Sequence, residues 1–140
     1  MRNAELFSSR AQWGVRETGR GGATAVHLDI TLKRKNIIVR LAGELDHHNA
    51  LKLKNRLDVE LSKDIAKNII LNLRELKFMD SSGLGFLLGR YQRLAESGGA
   101  TMIAGAQGQV RRVFELSGLT KIIPQVQTLA EALKAVGGES

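Results

Sequence analysis

A chain of 140 residues, 43% hydrophobic and 25% charged, has room for one globular domain with its own core and leaves little for a second. It contains no cysteine, which excludes disulfides and thiolate metal sites and makes the reducing cytoplasm the expected compartment. The formal charge is +7, but the basic residues are spread along the chain and aromatics are only 4%, so the stacking platforms of single-strand binders are mostly missing and no direct nucleic-acid binding is expected. No apolar run approaches the ~18 residues of a membrane span, and "MRNAELFSSRAQWGVRETGRGG" lacks a secretory h-region, so no membrane attachment is expected.

Residues 1–23 carry four Arg and two Glu, end in Gly-Arg-Gly-Gly and show no sustained period. They are expected to form a flexible N-terminal extension to a folded domain over 24–140, with Trp13 exposed on it. "AVHLDITL" alternates strictly and predicts a half-buried strand, with Val26, Leu28, Ile30 and Leu32 inward and His27, Asp29 and Thr31 outward. A turn at Lys35-Asn36 leads into "IIVRLAG", which would pair with it as a hairpin. In "DHHNALKLKNRLDVELSK", Ala50, Leu53, Leu57 and Leu61 recur at helical spacing, with Asp46 as N-cap and Asn49 as a later alternative. "KNIILNL" is continuously apolar, the pattern of a strand covered on both faces.

Leu84, Leu87, Leu88, Tyr91 and Leu94 then mark one face of a helix that stops at Gly98-Gly99. "ATMIAG" reads as a strand, and "QVRRVFELSGL" as a helix with Val110, Val113 and Phe114 inward. "KIIPQV" reads as an edge strand because of Pro124, and "TLAEALKAV" as a helix capped by Thr128. The order β-β-α-β-α-β-α-β-α predicts an α/β domain, a mixed and mainly parallel sheet of about five strands with about four helices.

In such a sheet, partners meet the carboxyl ends of the strands and the following helix N-termini. Two junctions are polar there, "GELDHHN" and "MDSSGLG", and they share one rim if their strands are neighbours. Met79-Asp80-Ser81-Ser82-Gly83 is not a nucleophile elbow, since Met79 stands where the first glycine belongs. Gly83, Gly85 and Gly89 miss the dinucleotide spacing by one residue, and no Lys-Ser/Thr follows as in a phosphate loop. Their structural reading is a tight helix start packed close to the sheet. His47 and His48 are adjacent on a helix and point about 100° apart, so no metal site is expected there. Asp80, Ser81 and Ser82 are all favoured N-cap residues, and three in a row exceed what one helix needs. Capping and a functional serine both remain open at this point.

"GELDHHNA" (43–50), "FMDSSGLGFLLGRY" (78–91), Gly98-Gly99 and "VRRVFELSGLTKII" (110–123), with their spacing, resemble the anti-sigma-factor antagonists of the STAS family, above all its sporulation members. The resemblance covers roughly residues 24–138 and departs at Asn49 and Phe86. It implies a STAS fold and a protein that is not an enzyme and needs no cofactor, because the ATP is carried by the partner. That partner would be an anti-sigma factor serine kinase, whose capture frees a sigma factor. Phosphorylation of Ser81 would end the binding, and a PP2C-type phosphatase would reverse it. The protein would be cytoplasmic and monomeric when free. The partner surface implied is Glu44, Asp46, His47, Asp80, Ser82, Gly83, Leu84 and Gly85, with Asp80 orienting the Ser81 loop, Ser82 capping the helix and Asp46 touching the kinase. Rival readings are a partner switch for a stress-response sigma factor, or a nucleotide- or nucleic-acid-binding α/β domain.

Overall fold

The computed structural model describes residues 9–16, 25–33, 36–63, 68–96 and 98–136. Its strands are β1 (Ser9–Arg16), β2 (Ala25–Lys33), β3 (Asn36–Leu45), β4 (Asn68–Met79), β5 (Ala100–Ala104) and β6 (Gln125–Val126). Its helices are α1 (His47–Lys63), α2 (Ser81–Glu96), α3 (Gly108–Ser117) and α4 (Leu129–Ala135), with a 3-10 turn at Leu119–Lys121. Among the described residues the strands join in chain order into one six-stranded sheet. The β1–β2 and β2–β3 pairings are antiparallel and the other three are parallel. This is the mixed, mainly parallel α/β sheet expected.

The period-2 pattern of β2 is realised directly. Val26, Leu28 and Ile30 are buried while His27 is exposed. In register behind them come Leu41 and Val39 of β3, then Leu71 of β4. This face meets Leu53 and Leu57 of α1, Leu87 of α2 and Phe114 of α3 in one core. The opposite face holds a smaller cluster, in which α4 places Ala132 against Ile70 and Ala104. β4 is therefore covered on both sides, which is why its sequence shows no alternation. At the hairpin end the second face carries charge instead, with Arg40 between Asp29 and Glu75.

Three expectations change. Residues 1–23 were expected to be a flexible extension, but Ser9–Arg16 pairs along β2, with Ala11, Trp13 and Val15 in register with Ile30, Leu28 and Val26. The alternation Ala11, Trp13, Val15 is a strand signal, diluted by the arginines and Gly14 around it. The remainder of that stretch lies outside the described residues. "KIIPQV" yields only the two-residue β6, because Lys121 still belongs to the 3-10 turn and Pro124 has no N–H to give a ladder. Asn49 is not a cap: it is fully buried, and its Nδ2 donates to the Glu44 carbonyl at 2.9 Å. The expected caps do form elsewhere. Asp46 Oδ1 accepts from the Asn49 N–H at 3.1 Å, and Thr128 completes a capping box with Glu131.

Candidate functional site

β3 and β4 are parallel neighbours, so the two polar junctions do share one rim. The β3–β4 register shifts between Arg40 and Ala42 and again between Gly43 and Glu44, with Gly43 at φ 98°. These irregularities bring Leu45 opposite Met79, so the two strands end together. The Asp80 N–H donates to the Leu45 carbonyl at 3.3 Å. β4 outruns β5 here, and a side chain takes the missing strand's place. Gln109 of α3 accepts from the Met79 N–H and donates to the Met79 carbonyl, both at 3.0 Å. Both polar groups of the residue before Asp80 are thereby fixed.

Asp80 then does two things. Its Oδ1 accepts from the N–H of Ser82 at 2.9 Å and of Gly83 at 3.3 Å, which makes it the N-cap of α2. Its Oδ2 accepts from the His47 N–H at 3.1 Å, so one carboxylate satisfies the starts of both α1 and α2. Ser82 was expected to cap α2 and does not. Asp80 already stands in the N-cap position, two and three residues ahead of the N–H groups that need an acceptor. The Ser82 hydroxyl lies 3.3 Å from His47 Nδ1 instead.

Gly83 is buried under this arrangement. A Cβ there would stand 3.1 Å from the Leu45 carbonyl oxygen and would collide with the Met79 side chain. The tight-start reading of the glycines therefore holds for Gly83. It fails for Gly85 and Gly89, where nothing among the described residues lies within 4 Å of an added Cβ. Leu84 packs on the core.

Ser81 is the residue left over. It is exposed at the first position of α2, and its hydroxyl makes no hydrogen bond among the described residues. Of the sequence-derived positions, His47, Asp80, Ser82 and Gly83 are joined by hydrogen bonds beside it, whereas the hydrogen bonds of Asp46 stay within the start of α1, to Asn49 and Ala50. Glu44 enters through its carbonyl, and Gly85 lies exposed one turn along α2. Sequence reasoning missed Gln109, whose role depends on α3 landing beside the end of β4. It also missed the His47–Ser82 contact. Among the described residues no group of three or more His, Asp or Glu could hold a metal, and no helix is long and apolar enough to cross a membrane.

Residues 27–132 match the family model for the STAS domain. The chain belongs to the STAS domain family. Within it, the chain is similar to an anti-sigma F factor antagonist of Paenibacillus polymyxa, 37% identical over 108 residues, which are 77% of this chain and 92% of the relative. It is 30% identical to an anti-sigma-B factor antagonist of Bacillus subtilis, over 70% of this chain and 88% of the relative. The solved structure of the anti-sigma factor antagonist SpoIIAA in its unphosphorylated form matches with a TM-score of 0.70 and 34% identity, over 79% of this chain and 96% of that one. The phosphorylated form of Bacillus SpoIIAA matches at 0.62 and 33%, over 78% and 98%. The STAS fold expected from the sequence is thereby met, and the chain groups with the family's anti-sigma-factor antagonists.

Proposed function

We propose that this STAS protein is a cytoplasmic anti-sigma-factor antagonist that binds an anti-sigma factor serine kinase through the rim around Ser81, frees a sporulation sigma factor, and is switched off when the kinase phosphorylates Ser81. It has no catalytic activity and no cofactor of its own; the partner brings the ATP, and a PP2C-type phosphatase resets the switch. The observation that carries this reading is the division among three cap-type residues: Asp80 caps, Ser82 meets His47, and the Ser81 hydroxyl is exposed and unengaged. Likeness to a protein solved in both unphosphorylated and phosphorylated forms supports it.

The electrostatics act in one direction. A phosphoserine adds about −1.5 to −2 charge. At the first turn of α2 that charge meets the positive end of the helix dipole, so the fold tolerates it. A partner packed on the same loop, with an ATP γ-phosphate at hand, meets it as like charge and must also desolvate it. The complex then breaks while the domain survives.

The test pairs purified chain with the anti-sigma F factor of Paenibacillus polymyxa and ATP, followed by mass-spectrometric mapping. Phosphate is expected on Ser81, and Ser81→Asp is expected to melt like the wild type yet bind the partner at least about tenfold more weakly. Phosphate found only on Ser82, or unchanged affinity of Ser81→Asp, would overturn the assignment. The second reading, a stress-response system, is favoured by likeness to the Bacillus subtilis anti-sigma-B factor antagonist. Tighter binding to that system's anti-sigma-B factor would select it.

A further inference from the structure

Gly83 is explained by the fold, whereas Gly85 and Gly89 are not. Both sit inside α2, where glycine is the poorest helix former after proline, and neither is needed for close packing among the described residues. They are one helical turn apart and therefore lie on one face. That face lines a groove of about 390 Å³ between α2 and α1, within the range of pockets that receive a ligand or an inserted side chain, ~300–1,000 Å³. The groove is mostly apolar. Across from the glycines α1 presents Leu51, a leucine left 62% exposed. One end opens at His47 and Ser82, beside the Ser81 loop, and Lys54 and Arg90 also line it.

The Lys54–Arg90 region is cationic. Among the described residues Asp58 is the carboxylate there, and three cations share it: Lys54 at 3.3 Å, Arg93 at 3.9 Å, and the buried Arg90. The Nε of Arg90 is buried with no acceptor. The local charge therefore favours an incoming carboxylate.

Resting on the anti-sigma-factor-antagonist reading, we propose that the α1–α2 groove is the specificity site for that partner, receiving an apolar side chain over Gly85 and Gly89 and a neighbouring carboxylate at Lys54. The bare glycine backbone gives the apolar side chain its depth, and Leu51 forms the wall. Continuity with the Ser81 rim lets one partner surface engage both. Recognition of the right kinase is thus separated from the phosphoacceptor chemistry.

Calorimetry with the Paenibacillus polymyxa anti-sigma F factor tests this through three variants. Gly89→Leu is expected to keep or raise the melting temperature of the free chain, since it replaces a poor helix former at an open position. It is expected to weaken binding at least about tenfold, as filling a central interface pocket does. Gly89→Ala, which adds one methyl, is expected to be more stable than wild type and to weaken binding less. Lys54→Met is expected to weaken binding and to flatten its salt dependence. If the wild type binds and Gly89→Leu and Gly89→Ala bind equally well, the groove is not the site and the proposed function stands. A large fall in stability of Gly89→Ala would show that the position is structural and overturn the inference. A wild type that neither binds nor becomes phosphorylated overturns the inference together with the function it rests on.

Discussion

At the residue scale, the stretch Asp80-Ser81-Ser82 separates three jobs that the sequence presents as one. Asp80 accepts from the N–H groups of Ser82, Gly83 and His47, so removing its carboxylate orphans donors at two helix starts. Asp80→Ala is expected to cost about 2 kcal/mol, the upper part of the range for losing a cap. Urea unfolding should show this as a lower midpoint at unchanged slope. Asp80→Asn keeps an acceptor oxygen and should lose about half as much. Ser82→Ala, by contrast, gives up only the 3.3 Å contact with His47 Nδ1 and should change stability by less than about 0.5 kcal/mol. If Ser82→Ala costs as much as Asp80→Ala, the cap assignment is wrong. Residue types alone could not decide this, because all three are good caps and the choice depends on where β4 stops. Gln109, gripping both polar groups of Met79, helps to set that point from a distant part of the chain.

At the element scale, α1 and α2 are tied side by side by Asp58 and Arg90. Arg90 is 2% exposed, and its burial, with the nearby charge of Arg93, lowers its pKa from arginine's usual value. It stays protonated, so its charge must be matched where it sits. Asp58→Ala leaves that guanidinium buried without its carboxylate and is expected to cost about 3 kcal/mol. The double variant Asp58→Ala/Arg90→Leu removes both charges and should recover most of the loss, because the penalty lies in the unpaired charge. A double-mutant cycle by chemical denaturation gives the coupling directly. Additive losses would mean that solvent already screens the pair. The helices themselves were legible from Leu53 and Leu57 and from Leu84, Leu87 and Leu94 at helical spacing. The groove between them was not, because it depends on how the two helices are rotated against each other. A glycine that packs (Gly83) reads the same in sequence as two that leave space (Gly85 and Gly89).

At the scale of the whole molecule, the sheet order follows from the chain order, and the alternating hairpin plus the apolar "KNIILNL" were enough to fix its middle. The edges were harder. β6 shrinks to two residues because Pro124 interrupts it, and β1 was hidden in a stretch whose arginines and glycines suggested a tail. β1 also covers the edge of β2, whose Val26, Leu28 and Ile30 are buried. A bare edge strand of that composition is a template for pairing with another chain. A chain starting at residue 17 should therefore stay folded, since the core among β2, β3, β4 and the helices remains, but it should lose cross-strand pairs contributing about 0.2–1 kcal/mol each. A loss of even 1 kcal/mol lowers the melting temperature of a domain this size by about 4 °C. The exposed β2 edge should also produce a concentration-dependent dimer in light scattering. If the shortened chain melts with the full one and remains monomeric, residues 9–16 add nothing to the domain and behave as the extension their composition suggests. If it melts lower and self-associates, the sixth strand is part of the fold and shields the edge of β2.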